Sequence, residues 1–599
     1  MKFNLREQLA LVTSLIRWCF LGTCVGALSG VASAAFLVAL AWATDTREAT
    51  PWLLWLLPLA GVAIGFVYSR FGKDVEGGNN LLLERIHQAE GDVSWRMAPL
   101  IALSTVGTHL FGGSAGREGT AVQMGGSLAD LTARAFRLAP TDRRMLLMSG
   151  ISGGFGAVFG TPLAGTVFGL EVLAIGRIRY DALVPCFVAS TVGDLVCRGL
   201  GIGHHVYSVG PVPPVSPAGL LWTALAGCCF GMASLLFAEL THSVQRLSKA
   251  AVKVPWLRPA LGGIAVIGLT YLVGTRDYLG LGLPLIERSF SPQGVALGAF
   301  ALKIVFTAVT LGTGFKGGEV TPLFCIGATL GHAFAWLTGQ PTEVFAALGF
   351  VAVFAGAANT PLACVLMGME LFGAGLAVPL TLACIVSYIT SGHRGIYMSQ
   401  QVDTPKATSV ILPDGLSLRE AHSGRMEFES SGLRPFDNRL FSTEESMGEN
   451  YMSEEKPFNA RPYGQVRIYL RSGDRPKATT WKEKLNNPPI YLRILQKARE
   501  FGLDHGTVKQ CVSGFMDKDK LQHDHPEYGN SRLPVYVELH GSRETLERFC
   551  LGSRELLEGR LIVYKDVEQW GWHGGVFEET QAEDDSDEVL ETSDDPEAS

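Results

Sequence analysis

Two charged side chains, Arg117 and Glu118, sit side by side in the stretch GGSAGREGTAVQMGGSLADL (Gly112–Leu131), with apolar chain leading into it and much apolar chain following. Charges at membrane depth are costly and mark ion pathways. The glycines around them interrupt regular helix, which is tolerated at that depth where the backbone lines a cavity or is buried in protein. A second stretch repeats the arrangement: GREGT (Gly116–Thr120) aligns with GGEVT (Gly317–Thr321), 201 residues later. Downstream, TPLAGTVFGLE (Thr161–Glu171) aligns with TPLACVLMGME (Thr360–Glu370) at a separation of 199, sharing the pattern TPLAx4GxE. Gly126 and Gly327 also fall in the same register. The chemistry this pattern suits is anion binding. A helix that starts at a glycine-rich turn directs free backbone N–H groups and the positive end of its dipole at one point. Repeated halves with broken helices meeting at the midplane are the architecture of secondary transporters.

The elements that must carry these motifs are apolar segments: Trp52–Tyr68, Met97–Gly113, Met145–Ile175, Leu220–Leu240, Leu261–Val273, Val295–Leu311, Pro322–Leu337, Val344–Phe372 and Leu376–Ile389. Several reach the ~20 residues needed to span a bilayer, and others are shorter. After Val402 the chain turns polar, which implies a polytopic membrane domain followed by a soluble one. Of 599 residues 70 are glycine, about 12% against a usual ~7%; most lie in the apolar half, where they permit close helix packing. The eleven cysteines form no CxxC pair and no zinc spacing, and Cys228 and Cys229 are merely adjacent, so they read as small buried residues. MKFNLREQLALVTSLIRWCF has basic residues without a small-residue cleavage site, and reads as a start anchored on the cytoplasmic side. The net charge of −7 comes from the end of the chain: Phe577–Ser599 holds eleven acids and no base, and the remainder is net +4. That tail reads as disordered and solubilising.

In order and spacing, GREGT, GTPLAG, GFKGGEVTP and ANTPLAC resemble the CLC family of chloride channels and anion/proton antiporters, over roughly Ile16 to Gln400. The resemblance implies a homodimer with one anion path per subunit, built from inverted repeats of broken helices. It also implies that Glu118 is the gate, filling an anion site when charged and leaving it when protonated. Three departures resemble the fluoride/proton antiporter branch. The first anion loop is GGNNL (Gly77–Leu81), with Gly78 where the family's serine stands; the second is GEVTP (Gly318–Pro322); and GREGT replaces GREGP, alongside GHRGIYMSQ (Gly392–Gln400). The implied anion-binding set is Gly77, Gly78, Asn79, Asn80, Gly116, Arg117, Gly119, Gly318, Glu319, Val320, Thr321 and Tyr397. Fluoride is small, strongly hydrated and a strong acceptor, so a site that dehydrates it must return several donors. The Thr321 and Tyr397 hydroxyls, the Asn79 and Asn80 amides and the loop N–H groups are such donors. Each has a plainer reading: Asn79 and Asn80 as caps of the following helix, Thr321 bonded back to its own helix, Tyr397 as an interface aromatic. Arg117 is expected to pair elsewhere or to bond backbone carbonyls rather than touch the anion. Chloride/proton members carry a second, internal acid after the TPLAG helix. Here FGLEVL offers Glu171 but puts Val172 at that place, leaving proton coupling to Glu118 and water.

The expected organisation is a CLC-type transmembrane domain over 1–402, an irregular linker over 403–462, a ferredoxin-like α+β cytoplasmic domain over 463–572 and the acidic tail over 577–599. QVRIYL, TVKQCVSG, LPVYVELHG and RLIVYKDVEQW read as strands; IYLRILQKAREFG and SRETLERFCLGSRELLEG, capped by Ser542, read as helices. The order βαββαβ is the split ferredoxin-like arrangement. The phrases AREFGLDHGTV and LPVYVEL resemble a PII-like family found beside bacterial fluoride exporters, while SGFM replaces its commoner GFG and leaves an unknown small-molecule ligand open. His523 and His525 in LQHDHPEYG lack further metal ligands and read as solvated. The functional expectation is a fluoride/proton antiporter of the bacterial inner membrane, termini cytoplasmic, with fluoride, protons and the bilayer as partners. It is not an enzyme, and no cofactor, metal or nucleic acid is expected. The rivals are a chloride/proton antiporter or passive channel, and a membrane-tethered sensor acting through its C-terminal domain.

Overall fold

The computed structural model describes residues 5–428 apart from 89–90, 205–208, 211, 292–293, 408–409, 412–414 and 422–426, and residues 458–572 apart from 472, 476–488, 504, 511–512, 515–521 and 524–533. Two compact units divide at Pro435.

The first unit is helical: α1 (Leu5–Ala49), α2 (Leu57–Phe71), α3 (Asn79–Gln88), α4 (Met97–Leu110), α5 (Glu118–Ala135), α6 (Pro140–Phe159), α7 (Pro162–Glu171), α8 (Leu183–Gly199), α9 (Pro217–Ala251), α10 (Arg258–Val273), α11 (Leu283–Ser289), α12 (Ala299–Gly312), α13 (Val320–Thr338), α14 (Thr342–Ala358), α15 (Pro361–Phe372) and α16 (Ala377–Thr390). Among the described residues six helical stretches are long and apolar enough to cross a membrane, and the others are shorter or less apolar. A chain of broken helices has this mixture of lengths.

The breaks follow from the repeated motif. Met145–Ile175 is continuous in hydropathy, but α6 ends at Gly160 in the left-handed region (φ 73°), and Thr161–Pro162 starts α7. In the second repeat α14 ends at Asn359 (φ 57°), and Thr360–Pro361 starts α15. A left-handed residue closes a helix, and a proline suits the first turn of the next while being unable to continue the last. TPLA is therefore a helix break in both halves.

The helices around these breaks pack backbone to backbone. A Cβ on Gly125 would strike the Gly150 carbonyl oxygen, and one on Gly327 would strike that of Gly349. The sequence register had paired Gly126 with Gly327. Gly126 instead faces Leu82 of α3, and Gly125 is the residue that plays the part of Gly327. One residue turns the facing direction by about 100°, so an alignment in register does not guarantee an alignment of faces. At the centre, rings from both repeats stack, Phe155 on Phe168 at 4.5 Å and Phe324 on Phe350 at 4.3 Å.

The segment after α16 departs from the irregular linker expected from residue 403. β1 (Ala174–Ile175), β2 (Gln401–Val402) and β3 (Leu416–Ser417) form a small sheet in that order. Ile175, Val402 and Leu418 are buried together beside Tyr388. The Lys406 ammonium donates to Asn359 Oδ1 (2.6 Å), the Tyr388 carbonyl (2.6 Å) and Ser391 Oγ (3.1 Å). Three anchors, Val402, Lys406 and Leu418, hold this strap to the membrane unit. So few apolar residues in polar sequence give no periodic signal.

The second unit has β4 (Phe458–Arg471), α17 (Ile490–Glu500), β5 (His505–Gln510), β6 (Pro534–Gly541), α18 (Arg543–Gly552) and β7 (Leu561–Trp572). Its sheet order β7-β4-β6-β5 is antiparallel throughout, the ferredoxin-like topology the βαββαβ order implies. Strand β4 starts inside the expected linker. Ile468, Ile494, Val537, Leu539 and Phe549 make the core between sheet and helices. Ser542 caps α18 as expected, its Oγ accepting the Thr545 N–H at 3.2 Å. On β6, burial opposes ionisation of Glu538, but His540 and Arg467 (Nε–Oε2 2.7 Å) outweigh it and hold the carboxyl below its ordinary value. His523 lies in a two-residue strand paired with Ser513–Gly514. His525 and the acidic tail fall outside the described residues.

Candidate functional site

The site forms where the two G-x-E-x-T stretches meet. Gly116 donates its N–H to the Gly318 carbonyl at 2.6 Å and accepts the Gly318 N–H at 2.8 Å, an antiparallel bridge between the repeats. The bridge sets the first turns of α5 and α13 beside each other, so two helix N-termini face one spot. Gly119 lets them approach: a Cβ there would fall 3.0 Å from the Gly318 Cα.

Glu118 fills that spot. Its side chain is fully buried. Oε2 accepts the Thr321 N–H at 3.0 Å, the Arg117 N–H at 3.3 Å and the Thr321 hydroxyl. The hydroxyl thus serves the carboxylate rather than its own helix. Arg117 does not pair elsewhere as expected: its Nε stands 3.4 Å from Glu118 Oε1. A side chain that begins a helix beside its acid neighbour has the shortest reach to it, and adjacency in sequence was the available signal. Ionised carboxylate is an anion, so a cage that returns three donors to one of its oxygens is a cage fit for a small anion.

The first loop lies below. Gly77 and Gly78 supply the carbonyls that accept the first helical bonds of α3, from Leu81 and Leu82. Helix α3 therefore begins with backbone before its asparagines, whose side chains turn elsewhere. Asn80 Oδ1 accepts the Ser399 N–H at 3.0 Å, which fastens the loop to the chain just before the strap. Asn79 Oδ1 is enclosed without a hydrogen-bond partner, and so is Glu319 Oε2. Both side chains close on Gly119, with Asn79 Nδ2 3.1 Å and Glu319 Oε2 3.4 Å from the position of its absent Cβ. Val320 is buried at the head of α13. Tyr397 is buried, edge-on to Phe168 at 6.5 Å, a core position rather than an interface one.

On the other side of Glu118 a small, partly open vestibule is lined by Arg117, Glu118, Thr321, His204, Phe159 and Phe324 among others. It lies toward the end of the unit opposite the start of α1. Helix α8 runs parallel to α1, with Gly22, Gly26 and Gly30 against Val188, Val192 and Val196, and His204 follows its C-terminus.

Sequence reasoning gave the repeat's terminal glutamates no role. Glu171 accepts the Leu362 and Ala363 N–H groups (3.1 and 2.9 Å), and Glu370 accepts those of Leu163 and Ala164 (both 2.9 Å). Each repeat's TPLA helix is capped by the acid that ends the other. The recurrence of Glu in TPLAx4GxE was the signal, since an exchange between halves needs both copies.

Comparison with known proteins finds likenesses for both units. Residues 60–392 match the family model described as voltage gated chloride channel, and residues 465–569 match one described only as an uncharacterized ACR. A chloride/fluoride channel protein of Pseudomonas syringae pv. tomato is 49% identical over 72% of this chain and 97% of its own length. An H(+)/Cl(-) exchange transporter of Vibrio vulnificus is 28% identical over 59% of this chain and 81% of its own. The crystal structure of a CLC-type fluoride/proton antiporter superposes with a TM-score of 0.63 at 33% identity, covering 67% of this chain and all of that one.

Proposed function

Since the chain belongs to the voltage gated chloride channel family, we propose that it exchanges fluoride for protons, with Glu118 as the protonatable gate. The observation that carries this reading is the cage around the Glu118 carboxylate. The Thr321 hydroxyl and the N–H groups of Thr321 and Arg117 converge on one oxygen, at two facing helix starts. A fluoride ion needs the same short donors in exchange for its hydration. Charged Glu118 competes for the cage; a proton removes the charge that holds it there, and the anion takes its place.

Below the gate, the Asn79 amide and the enclosed Glu319 carboxyl flank the continuation of the path. An anion passes a carboxyl only when that carboxyl carries its proton, so Glu319 acts as a second proton-holding group. It stands in for the acid that Val172 does not provide. With the termini cytoplasmic in the bacterial inner membrane, the vestibule faces outward and inward proton flow drives fluoride out. Assembly as a homodimer belongs to this reading; exposed Leu163, Phe187, Leu195, Leu362, Ile385 and Ile389 on α7, α8, α15 and α16 form its apolar face.

The test is anion release from liposomes carrying the purified full chain, with pH recorded. Fluoride is expected to leave much faster than chloride, with proton uptake accompanying it. Equal rates for the two anions would remove the fluoride assignment and favour the chloride reading.

A further inference from the structure

The vestibule holds a second proton-exchanging side chain that the cycle above leaves unused. His204 lines the same cavity as Arg117, Glu118 and Thr321, and its side chain is 12% exposed. Its ring rests on Gly160 at the α6–α7 break, where any Cβ would collide with it. Nε2 stands 3.3 Å from Asp194 Oδ1 but has no aligned hydrogen-bond partner. The same Asp194 oxygen accepts Arg198 Nε at 2.8 Å, and Arg198 Nη2 donates to the Gly160 carbonyl at 3.2 Å. The imidazole is therefore held at the wall of the cavity by a packed, charged frame, with Nε2 turned toward Asp194.

The charged groups around it come from three elements. Asp194 and Arg198 lie on α8, Arg117 and Glu118 at the start of α5, and Glu370 of α15 is close enough to interact electrostatically with Asp194 and Arg198. Arginines do not exchange protons in the working pH range, and Asp194 is engaged by Arg198. Histidine is the side chain whose ordinary chemistry exchanges protons near neutrality. Glu118 itself is fully enclosed, and the vestibule reaches it.

We propose that His204 is the proton relay between solvent and Glu118. Through water in the cavity, the imidazolium passes an N–H proton to a Glu118 carboxylate oxygen and becomes neutral. The neutral ring then takes a proton from hydronium or a buffer acid, and uncharged Glu118 yields its cage to the anion. Asp194 is the positioning residue that keeps the ring at the mouth. This inference rests on the antiport reading.

The experiment is fluoride-driven proton uptake by reconstituted full chain, at symmetrical starting pH from 5.5 to 8. His204→Gln is expected to slow turnover about tenfold at pH 8 and little at pH 5.5, where hydronium reaches Glu118 directly. The fluoride-to-proton ratio stays unchanged, and added imidazole restores the rate at pH 8. Asp194→Asn, which removes the ring's positioning partner, is expected to slow turnover at pH 8 more than at pH 5.5. A His204→Gln protein as fast as wild type throughout would overturn the relay, as would one slowed equally at every pH without imidazole rescue. If that variant does not fold, an unchanged pH profile in Asp194→Asn overturns it. A wild type that moves fluoride without protons overturns the antiport reading and the relay together, which separates that failure from failure of the relay alone.

Discussion

At the scale of single residues, the account turns on how one oxygen of Glu118 is satisfied. Thr321 supplies two of its donors, the backbone N–H at 3.0 Å and the hydroxyl. A hydrogen bond to a charged group contributes about 1.5–3 kcal/mol. Thr321→Val keeps the shape and the N–H but removes the hydroxyl from carboxylate and fluoride alike. Fluoride release from liposomes should fall roughly tenfold, the factor that about 1.4 kcal/mol represents, and Thr321→Ser should retain most of the wild-type rate. A valine variant at full rate would show that the hydroxyl does not contribute to the site. Arg117 marks the limit of residue-level reading. A basic side chain beside an acid in a glycine turn has several places to go, and only the fold shows that it stays with its neighbour.

At the scale of elements, the two repeats hold each other through their ends. Glu171 caps α15 and Glu370 caps α7, each through two N–H groups. A carboxylate at a helix start adds dipole stabilisation to those bonds. Glu171→Gln and Glu370→Gln each keep one acceptor and lose the charge, at a cost of about 1–2 kcal/mol. Both should lower the unfolding temperature in detergent by similar amounts. One silent and one damaging variant would contradict the reciprocal arrangement. Much of this level was legible in sequence. The repeat, the glycine-rich helix starts and the βαββαβ order all rest on local patterns whose spacing the fold preserves. What was not legible depends on facing or on sparse anchors. Gly125 rather than Gly126 meets the next helix because a helix turns about 100° per residue. The strap of residues 401–420 was read as irregular because a few buried apolar residues and a half-buried lysine in polar chain leave no period to detect.

At the scale of the whole molecule, the strap moves the functional boundary. Its sheet and the Lys406 bonds belong to the first unit, which ends at Pro435. Truncation near Gly448 should therefore leave a folded membrane unit that still transports. Truncation after Gln400 removes Lys406 from Asn359 at the α14–α15 break, and should yield a protein that aggregates on size-exclusion chromatography. Loss of transport in the protein cut near Gly448 would show that the ferredoxin-like unit is integral to the path. The architecture as a whole exists, on this account, to let one buried carboxyl alternate with an anion. Substituting Gln at Glu118 fixes the neutral state and keeps the size. The most direct measurement is therefore simultaneous recording of fluoride and pH in liposomes bearing Glu118→Gln under an outward fluoride gradient. The account predicts no fluoride-driven proton uptake, whether anion flux is blocked or leaks uncoupled. Proton uptake at the wild-type rate would contradict it.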